Sequence, residues 1–248
     1  MIDLHCHILP GIDDGCPDIE TSLAMAAMAE ESGVTDIACT SHYQYALAES
    51  EGLKEKYMLL TALMQDKLAG QGIGVRLHGG SEVLCTEETP ELLSRGLLPM
   101  IGKTDYLLVE FRFHTPVEDI DDMLDRLKAE GARIILAHPE RYLDVQRNRH
   151  YLVKWFREGT VLQCNKGSIL GALGGHAMKT SRWMLDHGLA HIVASDAHTA
   201  TVRTPRMTEL WDALVRHWGE EYAEVLLNIN PGRILAGKDI LSPDGEED

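Results

Sequence analysis

The sequence predicts an α/β protein whose parallel strands alternate with helices and fit a barrel. Three observations predict this class. Short β-branched or apolar runs recur along the chain, longer segments of helical character separate them, and several of those segments end at a glycine, as at Gly131, Gly159 and Gly188. Strand, helix and glycine in alternation is typical of βαβ units with the helices outside. Seven such strands favour a closed barrel over an open sheet, although the pattern alone leaves closure undecided.

The apolar runs locate the strands in chain order, and the segments between them locate the helices. Seven strands are predicted, over Ile2–Ile8, Thr35–Thr40, Val75–Leu77, Tyr106–Glu110, Arg133–Ala137, Val161–Cys164 and His191–Ala194. The first helix is predicted over Asp18–Ser32, with Asp18 as its N-cap and Gly33 as its stop signal. Five further helices are predicted, over Leu53–Leu68, Ile120–Glu130, Tyr151–Gly159, Met178–His187 and Met207–Trp218.

Length and composition favour one globular domain. Hydrophobic residues make up 44% and charged residues 25% of the 248 residues, which excludes a disordered or coiled-coil chain. α/β barrels commonly reach ~250 residues as a single domain. Because no internal repeat or linker is visible, residues 1–248 are predicted to form one domain, with a frayed acidic tail over about residues 241–248.

Charge and cysteine usage restrict the partners and the compartment. A net charge of −16 makes the chain a poor ligand for nucleic acid. No apolar run approaches the ~18 residues that a membrane span needs, and no signal peptide is visible, so no membrane insertion is expected. The five scattered cysteines favour reduced thiols and a cytoplasmic protein. Twelve histidines are unusual and point to bound cations.

Metal-ligand residue types follow six of the seven predicted strands. In a parallel barrel the carboxyl ends of the strands meet at one face, where active sites form. A lone histidine or glutamate at a strand end is usually structural or solvated, but so many converging charges would repel one another without cations. The residues, in chain order, are His5, His7, Asp14, His42, Glu82, Glu110, His138, Asp196 and His198, with Asn165 after the remaining strand.

The donor types predict which ions bind. The four carboxylates of Asp14, Glu82, Glu110 and Asp196 are neutralised by two divalent ions. A third ion leaves the site positive, as a phosphate dianion requires. Mixed imidazole and carboxylate ligands favour Mn, Fe, Zn or Co over Mg or Ca. Two to three such ions are therefore predicted, with manganese as the first candidate.

Seven segments of the chain together carry a family resemblance, and in order they are MIDLHCHILPGIDDG, TSHY, GGSEV, LLVEF, ILAHPERY, VLQCNKGSILG and IVASDAH. With these segments the chain resembles the polymerase-and-histidinol-phosphatase (PHP) superfamily and, more narrowly, the metal-dependent protein-tyrosine phosphatases of bacterial capsule and exopolysaccharide loci. The resemblance runs from residue 1 to near residue 235. The resemblance implies a distorted seven-stranded (β/α) TIM-like barrel of the PHP type with a trinuclear metal centre.

The resemblance also implies a role for each candidate ligand. By motif, one metal would be held by His5, His7, Glu82 and Asp196, a second by Glu82, Glu110 and His138, and a third by Asp14, His42 and His198. Asp13 is an alternative to Asp14, although the aspartate directly before Gly15 matches the superfamily better. Arg141 and Arg203 match the phosphatase pattern as catalytic, phosphate-binding residues. The sequence leaves open whether Arg203 or Arg206 faces the site.

The resemblance implies hydrolysis of phosphotyrosine on the tail of a bacterial tyrosine autokinase. The sequence leaves open whether the protein forms an oligomer. Metal coordination lowers the pKa of water from about 15.7 towards ~7, so hydroxide is available to attack phosphorus. Tyr43 and Tyr45 are candidates for stacking on an aromatic substrate. A thiolate mechanism is excluded because no cysteine has an arginine six residues later.

Other activities remain as alternatives. Within the same superfamily these are a small-metabolite phosphatase such as histidinol-phosphatase, or a phosphodiesterase. An amidohydrolase is less favoured because that family has a lysine where Glu110 stands here. A silent binding module is disfavoured by the complete ligand set.

Overall fold

The computed structural model describes residues 1–43 and 52–241, and the strands in them form two parallel sheets. In chain order these strands are β1 (Ile2–Cys6), β2 (Asp36–Cys39), β3 (Arg76–Gly79), β4 (Glu82–Leu84), β5 (Tyr106–Glu110), β6 (Arg133–Ala137), β7 (Val161–Asn165) and β8 (Ile192–Ala194). One sheet has the order β1-β2-β3 and the other β4-β5-β6-β7-β8. Every pairing is parallel, which confirms the predicted α/β class.

Over the described residues, the two sheets meet along two seams and do not close into one continuous sheet. At the first seam, the amide of Asp196 donates to the His5 carbonyl and the amide of His7 donates to the Ala197 carbonyl, both at 2.8 Å. At the second seam, the amide of Tyr43 donates to the Glu82 carbonyl at 2.9 Å. Isolated bridges mark both places.

The seven-stranded closed barrel is therefore not confirmed. The third predicted strand corresponds to β3, but the chain forms a further strand, β4, after a break at residues 80–81. β3 stays paired with β2, whereas β4 pairs with β5. At the break, a Cβ on Gly80 would lie 3.0 Å from the Ile101 side chain, so close packing there favours glycine.

All six predicted helices are present, with ends shifted by at most three residues. The α-helices of the described residues are α1 (Ile19–Glu31), α2 (Leu53–Gly70), α3 (Thr89–Ser94), α4 (Val117–Ala129), α5 (Leu143–Arg147), α6 (His150–Arg157), α7 (Lys166–Ile169), α8 (Gly175–Asp186), α9 (Thr208–Trp218), α10 (Glu220–Glu224) and α11 (Asn230–Leu235). A 3₁₀ turn spans Pro139–Arg141, and a π-helical turn spans Val225–Ile229. None of these helices is both long and apolar enough to cross a membrane. Of the acidic tail, residues 242–248 lie outside the described residues.

The start of α1 shows how the sequence sets a helix boundary. The carboxylate of Asp18 accepts a hydrogen bond from the Thr21 amide at 2.8 Å, as an N-cap does. After the helix, Gly33 has a φ of 86°, a left-handed conformation in which glycine ends helices at little cost. Both predicted signals are confirmed.

Alternation along the strands separates two layers of side chains. Leu107 and Val109 of β5 belong to the large core shared with the helices, whereas Leu108 belongs to a second apolar cluster with Leu4 and Ile135. Side chains two apart on a strand face the same side. Glu110 therefore lies on the same side of β5 as Leu108, at the carboxyl end of the strand. The polar site lies beyond the second apolar cluster.

Candidate metal centre

The nine candidate ligands converge at the carboxyl ends of the strands in four overlapping groups. Within each group, one donor atom per residue lies within 4.8 Å of the others, and the groups are His7, Asp14, His42 and His198; His5, His7 and Asp196; His5, Glu82 and His138; and His42, Glu82 and Glu110. Every group combines imidazole with carboxylate, the donor mixture that suits divalent transition ions. The residues present therefore fit a multinuclear metal centre.

Glu82 is the central member of the cluster. Its carboxylate is 1% exposed, and Oε1 lies 2.9 Å from Nε2 of His138. Oε2 lies 3.2 Å from Nε2 of His5, Nε2 of His7 and Nδ1 of His42. One carboxylate thus joins histidines at the carboxyl ends of β1, β2 and β6. This arrangement arises because β4 begins at Glu82, beside the seam between the sheets.

Two members of the cluster have backbone conformations that side chains rarely adopt. His138 has a φ of 35° and Asp196 a φ of 50°, and among the described residues they alone combine positive φ with a side chain. Such conformations cost on the order of 1–3 kcal/mol each and are found mostly at functional sites. His138 directly follows β6 and Asp196 lies two residues after the end of β8, and both side chains belong to the cluster.

Asp13 orients His7 without belonging to any of the four groups. Its Oδ2 lies 2.7 Å from Nδ1 of His7 and accepts from the His42 amide at 2.8 Å, while Oδ1 accepts from the Gly15 amide at 3.0 Å. A hydrogen bond at Nδ1 leaves Nε2 of His7 free to face the cluster. A Cβ on Gly15 would lie 2.5 Å from the Cβ of His7, so the loop can approach only with glycine there.

Asp14 is the other aspartate left open by the sequence, and its geometry differs. Its side chain is 71% exposed, with Oδ1 3.6 Å from Nε2 of His42 and 3.7 Å from Nε2 of His198. Of the adjacent aspartates, Asp14 therefore presents its oxygen to the cluster, whereas Asp13 supports it from behind.

We expect Asp13→Asn to weaken metal binding. A single amide oxygen cannot accept both from His7 and from Gly15, and loss of such an outer hydrogen bond weakens metal affinity by about 10- to 100-fold. Competition with a chelating dye measures the dissociation constant of manganese. Asp18→Asn, which keeps a good N-cap on α1, is the matched control. An unchanged affinity in Asp13→Asn would contradict the supporting role of Asp13.

In the cluster, burial disfavours the charged form of each group, whereas the neighbouring opposite charges favour it. Burial alone would lower the pKa of His5, but the charges of Glu82 and Asp196 raise it to about 10. Burial likewise opposes ionisation of Glu82, yet His5 and His138 hold its pKa well below the usual range. Without metal, protonated imidazole pairs with carboxylate. Because a metal ion binds neutral imidazole, it would replace these protons.

Two polar residues of β7 support the cluster. Oε1 of Gln163 lies 3.0 Å from Nδ1 of His5 and accepts from the His138 amide at 3.2 Å. The side-chain amide of Asn165 donates to Oδ2 of Asp196. The sequence singled out Asn165 at a strand end but not Gln163. The signal was available, because Gln163 precedes Asn165 by two positions and faces the same side.

Two of the three candidate arginines contact the cluster. Nη2 of Arg203 lies 2.5 Å and Nη1 of Arg141 lies 3.4 Å from Oδ2 of Asp196. Arg206 instead pairs with Glu31 at the end of α1, at 3.0 Å. Lys166 donates to the backbone carbonyls of Thr204 and Arg206. Of the two arginines in this loop, Arg203 therefore faces the cluster.

Comparisons with known proteins match most of the chain. A family model described as capsular polysaccharide synthesis, CpsB/CapC, matches residues 1–236. The chain is 30% identical over 229 residues to the putative tyrosine-protein phosphatase CapC of Staphylococcus aureus, covering 92% of this chain and 89% of that protein. It is 29% identical over 226 residues to the tyrosine-protein phosphatase YwqE of Bacillus subtilis, covering 91% and 88%.

A solved structure resembles this chain closely. It comes from work on YwqE from Bacillus subtilis and CpsB from Streptococcus pneumoniae, described as unique metal-dependent tyrosine phosphatases. The TM-score is 0.88 at 29% sequence identity, and the match covers 97% of this chain and 96% of that chain. The likeness thus extends over nearly the whole fold.

Proposed function

The chain belongs to the CpsB/CapC family of capsular polysaccharide synthesis, and from that premise we propose that it is a metal-dependent protein-tyrosine phosphatase. One observation carries the proposal: two arginines converge on Asp196 at the edge of a buried imidazole and carboxylate cluster. Such a pair beside divalent ions suits a phosphate monoester, whose dianion needs both positive charge and planar donors. The relative YwqE is named a tyrosine-protein phosphatase, which supports the same substrate.

The nine converging residues would hold two to three divalent ions, with manganese as the first candidate. The support is the donor chemistry of the four groups, in which Glu82 takes part twice and is the natural shared ligand. When bound, such ions supply an acidified water and positive charge for the phosphoryl oxygens. The two sheets act together as one distorted barrel around them.

The residues of the chain itself bind and orient the ester. Arg141 and Arg203 would hold the phosphoryl oxygens through charged hydrogen bonds, and Asp196 positions both guanidinium groups beforehand. A tyrosine leaving group has a pKa near ~10, so it departs with less help from a general acid than an alkoxide needs. Arg206 would not take part, because it reaches Glu31.

The physiological substrate would be a phosphotyrosine segment of a tyrosine autokinase, and the reaction would act in capsule regulation. Support comes from the family description and from the tyrosine-phosphatase relatives. All five cysteines are unpaired, which favours action in the cytoplasm, where thiols remain reduced. The family match over residues 1–236 supports a single catalytic domain.

Turnover of a substrate panel tests the proposal. With manganese present, we expect a phosphotyrosine peptide to be hydrolysed at least about tenfold more efficiently than histidinol phosphate or a nucleotide diester, and a chelator to abolish turnover. Elemental analysis should find two to three divalent ions per chain. Preference for histidinol phosphate would favour the metabolite phosphatase instead. Fewer than one ion per chain after incubation with manganese would contradict the metal centre.

A further inference from the structure

Exposed apolar side chains lie beside both arginines of the site. Phe113, in the loop after β5, is 39% exposed. Leu143, two residues after Arg141, is also exposed. Val202, adjacent to Arg203, is 86% exposed. Water-exposed apolar groups at the rim of a polar site suggest a ligand that brings an apolar portion with it.

Phe113 is held in place next to the cluster. Its ring centroid lies 6.1 Å from that of His138, with the ring planes at 71°. The guanidinium carbon of Arg141 lies 4.3 Å from the centre of the Phe113 ring, within cation–π range. The carbonyl of Phe113 accepts from the Leu143 amide at 2.8 Å, which ties the loop to the segment that carries Arg141.

The other aromatic residues near the site are not accessible. Tyr142 also contacts the His138 ring, but it is fully buried, and its hydroxyl bonds the carbonyl of Ala137. Tyr43, a stacking candidate from the sequence, is buried with its hydroxyl donating to the Leu97 carbonyl. Tyr45, the other candidate, lies outside the described residues. Among residues 1–43 and 52–241, Phe113 is thus the exposed aromatic ring in contact with a cluster histidine.

We propose that Phe113 is the specificity-determining residue that selects aromatic over alkyl phosphate esters at this site. The inference rests on the proposed function, because it requires Arg141 to hold the phosphoryl group. Arg141 covers the Phe113 ring, so a phosphoryl group on that guanidinium places its ester substituent beside the exposed part of the ring. A phenyl substituent gains an aromatic contact there, whereas a short alkyl chain does not.

The gain expected from one such contact is modest and measurable. Aromatic pairs add about 3- to 10-fold to an equilibrium constant beyond simple burial. Removing Phe113 should therefore weaken phenyl ligands by that factor and leave small alkyl ligands unaffected. A role confined to holding Arg141 would instead weaken both ligand types equally, because both carry the same phosphoryl group.

Binding of two non-hydrolysable phosphonates separates these cases without relying on turnover. Calorimetry on the manganese-loaded protein gives dissociation constants for phenylphosphonate and methylphosphonate in the wild type, Phe113→Ala and Phe113→Tyr. We expect Phe113→Ala to lose about 3- to 10-fold for phenylphosphonate only, and Phe113→Tyr to restore it. Leu59→Ala, which removes an exposed apolar side chain from α2, is the control and should change neither.

Two results would overturn the inference. An unchanged preference in Phe113→Ala would show that the ring does not contact the substituent, and an equal loss for both phosphonates would show that Phe113 acts only through Arg141. Turnover of the phosphotyrosine peptide by the wild type is scored separately. A protein that binds phenylphosphonate through Phe113 but hydrolyses no phosphotyrosine would contradict the proposed function and leave the inference standing.

Discussion

Replacing Glu82 by alanine is expected to remove bound metal and turnover together. Glu82 contacts four histidines and belongs to two of the four candidate metal groups, so its loss disrupts the cluster at its centre. Metal charge contributes several kcal/mol to the transition state, and a loss of about 4 kcal/mol lowers kcat/KM on the order of 10³-fold. Elemental analysis of the purified variant should show at least one ion fewer per chain.

Two further variants test whether this effect is specific. Glu82→Gln keeps the shape and one oxygen, so it should retain more metal than Glu82→Ala. Glu91→Ala removes an exposed carboxylate of α3 and should change neither metal content nor rate. A Glu82→Ala protein with full metal content and near wild-type turnover would exclude the proposed centre.

Alanine at Arg141 or Arg203 is expected to lower the rate while leaving the metal content intact. Neither side chain belongs to a metal group, and both contact Asp196 from the outside. Loss of one charged hydrogen-bond donor to the transition state costs on the order of 2–4 kcal/mol, or roughly 10²- to 10³-fold in kcat/KM. Steady-state kinetics with a phosphotyrosine peptide measures the loss.

Arg206→Ala is the matched control for these variants. Like Arg203→Ala, it removes an arginine side chain from the loop between β8 and α9. Arg206, however, is half exposed and paired with Glu31. Exposed ion pairs contribute little, so kcat/KM should stay within about twofold of the wild type. Near wild-type kcat/KM in both Arg141→Ala and Arg203→Ala would contradict the phosphate-binding role.

The course of the strands could be predicted from the sequence where apolar runs are continuous. β5 and β6 were predicted with their observed bounds because each is an apolar run with one charged residue at an end. That residue is Glu110 at the end of β5 and Arg133 at the start of β6. The break between β3 and β4 could not be predicted in this way. At the break, Gly80 lies close to Ile101, a contact between segments distant in sequence that no local pattern predicts.

The same distinction holds for the site. Most of the nine cluster residues could be located because parallel strands bring their carboxyl ends together, whereas Asp14 lies in the loop after β1 and was chosen over Asp13 by its match to the superfamily motif. The choice between Arg203 and Arg206 depends on the loop conformation. The amides of His198 and Thr199 both donate to the Arg203 carbonyl, and Lys166, at the start of α7, donates to the Thr204 carbonyl of the loop. Asp13 and Phe113 likewise act through loops, whose course no strand pattern predicts.

The two seams between the sheets lie within the cluster, and this affects more than catalysis. His5, His7 and Asp196 stand at one seam, and His42 and Glu82 stand at the other. An ion bound at either place would cross-link two sheets that few backbone hydrogen bonds connect. Metal binding would then raise the free energy of unfolding, by about 2.7 kcal/mol when free metal exceeds its dissociation constant a hundredfold. Cellular metal supply would therefore govern how long the folded protein persists, as well as how fast it works.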